Sequence, residues 1–133
     1  GLNSQVRQAQ LELLQREDEL TASKRDTDLQ VREQYLNVQS GLAQVHALEQ
    51  LVLTNRKKLE SSQLGQQVGV RSNLDVIDAQ KTLADSEQQL AKARYDYLQA
   101  QLALAQAAGQ LQSGTALQQI NAAIRQQPLH KTP

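Results

Sequence analysis

Cysteine, methionine, tryptophan and phenylalanine are all absent from this sequence of 133 residues, and tyrosine occurs only three times. Without cysteine there is no disulfide, no thiol nucleophile and no thiolate metal ligand, and the compartment is left open. The scarcity of bulky rings makes a thick globular core hard to build. Leu and Ala, the main apolar residues, suit narrow helical seams instead. Proline is nearly missing too. Pro128 and Pro133 both lie near the C-terminal end, so nothing before them need break a helix. No apolar run approaches the roughly 18 residues that a membrane helix needs, and no signal-peptide pattern is present. An excess of one charge is also absent, since 14 basic residues balance 14 acidic ones. No basic stripe appears, which argues against nucleic-acid binding. Gly1 stands where a native start would carry Met, so the sequence reads as part of a longer protein.

What is there is helical periodicity. The length predicts one domain, taken as residues 1–127, with 128–133 as a polar, Pro-containing tail expected to be flexible. A first helix is predicted over about 3–67. Its apolar stripe, Val31, Tyr35, Val38, Leu42, Val45, Leu48 and Val52, steps by three and four residues, near the coiled-coil period. Gly41 within it costs about 1 kcal/mol relative to Ala, which suggests a close neighbour. A second helix is predicted over about 73–111. Val76, Leu83, Leu90, Tyr97, Leu104 and Leu111 recur every seven residues, and Ala79, Ser86, Ala93, Ala100 and Ala107 follow at three. This seam alternates large and small, so two backbones can approach closely. A second apolar row, Ile77, Ala84, Ala91, Leu98 and Ala105, adjoins it. Two rows on one helix suit a wall of helices better than an isolated two-stranded zipper. Gly109 and Gly114 are read as ending this helix, and Thr115 as capping a short one over about 116–126 with Leu117, Ile120 and Ile124 on its apolar face. The fold class is therefore all-α, a long antiparallel coiled-coil-like hairpin with a short C-terminal helix.

The tip, 66–73 within "QQVGVRSNLDVID", concentrates the unusual residues. Gly69 is the candidate for the left-handed position that ends the first helix. Ser72 or Asn73 can cap the second, with Asp75 reaching back in a capping box. Capping accounts for Ser72 and Asp75 in any helical hairpin. It leaves Arg71 and Asp78 over. Asp78 lies three residues beyond Asp75, so both carboxylates share a helix face and repel unless a cation, water or another partner intervenes.

These residues carry a resemblance. Val68, Gly69, Arg71, Ser72, Asp75, Val76, Ile77, Asp78 and Ala79 are followed by Leu83, Leu90, Ala93, Arg94, Tyr95, Tyr97, Leu98, Gly109 and Leu111. Together they closely resemble the C-terminal repeat of the TolC-like outer membrane efflux proteins, and "REQYLNVQSGLAQVHALEQ" resembles the long helix before it. The likeness covers about residues 30–112. It implies a trimer whose protomers give strands to an outer-membrane barrel and long helices to a periplasmic tunnel in a Gram-negative bacterium. Hairpin tips close the tunnel, and a periplasmic adaptor linked to an inner-membrane pump docks on them. Carried over, Gly69, Arg71 and Ser72 would engage the adaptor or hold the tip closed, and Asp75 and Asp78 would form an entrance acid ring that attracts cations. Three departures stand out. Gln66 occupies the place where the family often has an aromatic latch. One of two repeats is present, and nothing alternates over ten residues as a barrel strand would, so membrane contact is expected only through strands outside this sequence.

No enzyme is expected. His46 and His130 are far apart, no Ser/His/Asp set or Gly-rich phosphate loop occurs, and Glu17, Asp18 and Glu19 read as a solvated run. Neither a catalytic residue, a cofactor nor a metal site is assigned. Two other readings fit a helical hairpin: the hairpin of a periplasmic adaptor, which lacks the paired acids, and a generic coiled-coil module.

Overall fold

A computed structural model of the chain describes residues 1–126, and after Gly1 these form two helices and one turn. Helix α1 runs Leu2–Gln67 and α2 runs Asn73–Gln126. Among the described residues there is no strand, and no helix is long and apolar enough to cross a membrane. The expected tail, 128–133, lies outside the described residues.

Backbone contacts divide the chain into two units. The first contains the turn and spans Tyr35–Ala103. Its helices are antiparallel, and two ion pairs demonstrate it. Glu49 Oε1 lies 3.6 Å from Arg94 Nη2, and seven residues further along α1, Arg56 Nη2 lies 3.5 Å from Glu87 Oε1, seven residues back along α2. The core is a single seam. Val45, Leu48, Val52, Leu90 and Ala93 are buried together, with Leu83 and Tyr97 packed on them. On α2 the alternating large and small row is buried or half-buried throughout this unit, from Val76 to Ala100.

On α1 the seam departs from the expected stripe. Val38, Val45, Leu48 and Val52 face inward, but Tyr35 and Leu42 are exposed, and Gln34 and Gly41 stand at the seam in their place. At Gly41 the reason is the size of Tyr97. A Cβ on Gly41 would meet the Tyr97 ring at 3.4 Å and its Cα at 3.7 Å, so the helices approach here as the mid-helix glycine suggested. Towards the turn the seam continues through Asn55, Leu59, Ser62 and Gly65. Asn55 is 4% exposed and Ser86 only 2%, which makes a polar serine more deeply buried than any apolar core residue. The Ser86 hydroxyl is satisfied by donating to the Leu83 carbonyl at 2.8 Å.

The second unit joins Gly1–Gln34 to α2 from Leu104 on. Here one expectation is corrected. Gly109, Gly114 and Thr115 do not break α2, and the residues from Ala116 to Gln126 continue it rather than forming a separate short helix. Glycine inside a helix costs about 1 kcal/mol, which neighbouring Ala, Leu and Gln offset. Thr115 is not a cap, since its hydroxyl donates to the Leu111 carbonyl at 3.0 Å, one turn back within the same helix. Leu117, Ile120 and Ile124 remain exposed. Arg125 of α2 pairs with Glu17 of α1.

Candidate functional site

The turn between α1 and α2 is built by three local devices. Gly69 has φ +82°, a conformation that favours glycine, and is the described residue with positive φ. Around it the Val70 N–H donates to the Gly65 carbonyl at 2.9 Å and the Gly69 N–H to the Gln66 carbonyl at 3.2 Å. This is the two-bond pattern that closes a helix on a left-handed residue. The Gly65 carbonyl also accepts the Arg71 N–H at 3.1 Å, which fixes the backbone beyond the turn.

The second device is the cap of α2. The Asp75 N–H donates to Ser72 Oγ at 3.2 Å, and the Ser72 N–H donates to Asp75 Oδ2 at 3.0 Å. Ser72, not Asn73, is therefore the cap, and the bonds are reciprocal. The Asp75 carboxyl is held below the usual carboxylate range. The Ser72 backbone N–H is the main cause, the Ser72 hydroxyl the next, and the nearby Arg71 charge a lesser one that acts against slight desolvation. Asn73 has a different task. Its Oδ1 accepts from Gln66 Nε2 at 3.3 Å, tying the end of α1 to the start of α2. Gln66 thus supplies a polar tie in the position where the resembled pattern often has an aromatic.

The third device places Arg71. A Cβ on Gly65 would come within 2.5 Å of Arg71 Cγ and 3.2 Å of its Cβ. The arginine stem lies across the bare glycine, so the buried Gly65 is the socket for Arg71. Sequence reasoning passed over Gly65 in favour of Gly69. Its signal was only a second glycine four residues before the first. Arg71 itself forms no ion pair within 4.0 Å among the described residues.

The five sequence-predicted residues fall into two groups. Gly69, Ser72 and Asp75 are used by the turn itself. Arg71 and Asp78 leave their charged ends over: both are exposed, the Arg71 stem rests on Gly65 while its guanidinium forms no ion pair among the described residues, and of Asp78 only the carbonyl is used, accepting the Thr82 hydroxyl at 2.9 Å within α2. Among the described residues no three His, Cys, Asp or Glu side chains are grouped to hold a metal.

Known proteins bear directly on this arrangement. The family described as "Outer membrane efflux protein" matches residues 1–110. Outer membrane protein TolC of Salmonella enteritidis is 37% identical over 110 residues, which are 83% of this chain and 22% of that protein. Its counterpart in Escherichia coli (strain K12) is 36% identical over the same share of each. Alkaline protease secretion protein AprF of Pseudomonas aeruginosa is 37% identical over 76 residues, 57% of this chain and 16% of that protein. The chain thus spans about a fifth of the length of the TolC proteins it matches. With the family match running across the greater part of both helices and through the whole turn, the chain belongs to the outer membrane efflux protein family.

Proposed function

We propose that this chain forms part of the periplasmic helical tunnel of a trimeric outer-membrane efflux or secretion channel, and that its turn gates the entrance and docks a periplasmic adaptor joined to an inner-membrane pump. The observation that carries this reading is the division of labour at the turn. Gly69, Ser72 and Asp75 build it, while the Arg71 guanidinium and the Asp78 carboxylate project from it with no hydrogen bond or ion pair among the described residues. A structural hairpin needs the first group only. A gate needs the second as well.

Support also comes from the apolar row that the hairpin leaves uncovered. Ile77 is 49% and Leu98 63% exposed, with Ala84 and Ala91 exposed between them. A helix with one row in its own seam and a second facing outward is suited to a wall, where the next hairpin covers the second row. Conduction through such a wall is passive. Its selectivity comes from the charges at the narrowest point, and in a trimer Asp75 and Asp78 repeat three times around the entrance.

The test is single-channel conductance of the complete trimer carrying Asp75→Asn and Asp78→Asn. Asparagine at position 75 keeps an oxygen to accept from the Ser72 N–H, so the cap survives while the charge goes. Cation selectivity and block by multivalent cations should both fall. Unchanged selectivity and block would remove the acid ring from this reading.

A further inference from the structure

Two polar side chains of α1 are buried in the seam near the turn and have no partner in it. Asn55 is 4% and Ser62 9% exposed. Neither the Asn55 amide nor the Ser62 hydroxyl hydrogen-bonds to another described residue. The side-chain bonds that join α1 to α2 use Arg56 with Glu87 and Gln66 with Asn73 instead. On the facing helix, Thr82 and Ser86 each donate to a carbonyl of their own helix, at 2.9 and 2.8 Å. Buried polar groups are as a rule hydrogen-bonded, because an unpaired one forfeits its bonds to water.

The surface around the two groups shows where their partners come from. Among the described residues no buried side-chain nitrogen or oxygen is both sealed from solvent and without a partner. The polar atoms of Asn55 and Ser62 therefore each keep a narrow opening, and both residues line one groove of about 550 Å³ together with Thr54, Ser61, Ala79 and Thr82. Asn55 and Ser62 are seven residues apart, which is about 10 Å along a helix, so one small group cannot serve both. The groove is many times larger than the roughly 30 Å³ share of one water molecule in the liquid. Leu59, Val76 and Leu83 are buried or half-buried in the same stretch, so the helices stay in contact beside the groove.

We propose that this groove is a hydration site built into the hairpin, in which water molecules bind the Asn55 amide and the Ser62 hydroxyl and link them across the seam to Thr82. An amide and a hydroxyl both donate and accept, and the Thr82 oxygen can still accept while its proton is engaged. That set suits a small neutral partner with both capacities. An ion is not favoured. Lys57, Lys58 and Arg71 also line the groove, but Glu60 lies one turn from Lys57, Asp75 is close to Arg71, and Asp78 and Asp85 share the face of Thr82. The stretch from Asn55 to the turn is then held partly by exchangeable water bridges, whereas Val45, Leu48, Val52, Leu90 and Ala93 hold each other by apolar contact. The wet stretch opens locally more often than the dry cluster. If the turn is a gate, this is the section that yields as it moves, while hydration itself does not depend on gating.

Two measurements on the complete channel protein test the site. A crystal structure at a resolution that shows water should place water within hydrogen-bond distance of the Asn55 amide and of Ser62 Oγ. A dry groove, or a side chain from another segment or another copy in those places, overturns the assignment. Hydrogen–deuterium exchange reads the consequence. Amides of 55–65 and 76–86 should exchange about tenfold faster than those of 45–52 and 90–93. Asn55→Leu, close in size and unable to hydrogen-bond, should slow the first set about tenfold and leave the second unchanged. Ser62→Ala should act in the same direction, and Asn55→Ser, which keeps a hydroxyl for water, should leave exchange fast. Faster exchange in the Asn55→Leu protein, or equal slowing in both sets, would mean that Asn55 serves packing alone and would remove the hydration site.

Discussion

Asp75 shows how one residue can serve two masters. Its carboxylate accepts the Ser72 N–H, and its own N–H is taken by Ser72 Oγ. The bond to Ser72 favours the charged form, which is why the carboxyl is held below its usual range. The linkage has a definite sign. A carboxyl whose folded value is depressed adds stability above its unfolded value, about 3.9 for Asp, and loses it as pH falls through the lower folded value. Ser72→Ala should cost about 1 kcal/mol near neutral pH. Urea unfolding of the native and Asp75→Asn proteins should differ near neutrality and converge at strongly acid pH. A difference that stays constant into strong acid would mean the ionised carboxylate is not what the cap uses. At this scale the sequence was most informative at the turn. The capping box and the positive-φ glycine follow from local rules, so Gly69, Ser72 and Asp75 were legible. Gly65 was not, because its reason is the stem of Arg71 six residues on, and that approach is visible only once the turn is built.

Register is the property that belongs to the helices. Heptad repeats alone specify it weakly, since a slip of seven residues lays the same pattern on itself. The two ion pairs break that degeneracy by their polarity. α1 offers Glu49 then Arg56, and α2 offers Glu87 then Arg94. A slip of one heptad in either direction sets Arg56 against Arg94 or Glu49 against Glu87. Exposed pairs contribute only about 0.2–1 kcal/mol each, so their value lies in discrimination rather than in stability. Arg56→Glu alone should lower stability by up to about 1 kcal/mol, and adding Glu87→Arg should restore it. That double exchange, however, makes the slipped alignments attractive. Disulfide trapping can read the result, because Leu48 and Ala93 share the core cluster. Cysteines at 48 and 93 should join in the native protein, and cysteines at 48 and 86 should gain in the exchanged one. Failure of the 48–86 pair to gain would show that the seam alone fixes the register. The seam was only partly legible. Val45, Leu48 and Val52 stood out by hydropathy, but Gln34, Gly41, Asn55, Ser62 and Ser86 stand in it for position and size, which no apolar count detects. The same habit of reading residues singly put an end to α2 at Gly114. Glycine is a poor helix former, yet a long helix absorbs one when its neighbours are good ones.

For the whole molecule, hydropathy and periodicity implied helices with faces to spare, and the motif around the turn implied the family. On the proposed tunnel reading, the exposed Ile77 and Leu98 row is the surface that a neighbouring hairpin would cover. It makes sense of a chain whose apolar residues exceed what its own thin seam can cover. The uneven make-up of that seam also has a kinetic consequence. Large apolar side chains gather at Val45, Leu48, Val52 and Leu90, while between that cluster and the turn the buried positions are mostly small or polar, Asn55, Ser62, Gly65 and Ser86, with Val76 the large apolar exception. A hairpin normally gains by zipping outward from its turn, because short loops close at the lowest entropy cost. Here the first layers to close bring less apolar burial, chiefly that of Val76, and the larger reward comes when Val52 meets Leu90. The transition state for folding should therefore contain the Val52–Leu90 layer. In a mutational series read by folding and unfolding rates, Val52→Ala and Leu90→Ala should slow folding, whereas Ser72→Ala should chiefly speed unfolding. The reverse pattern would mean that the turn nucleates. A turn that forms late is one that can also come apart without dissolving the helices that carry it.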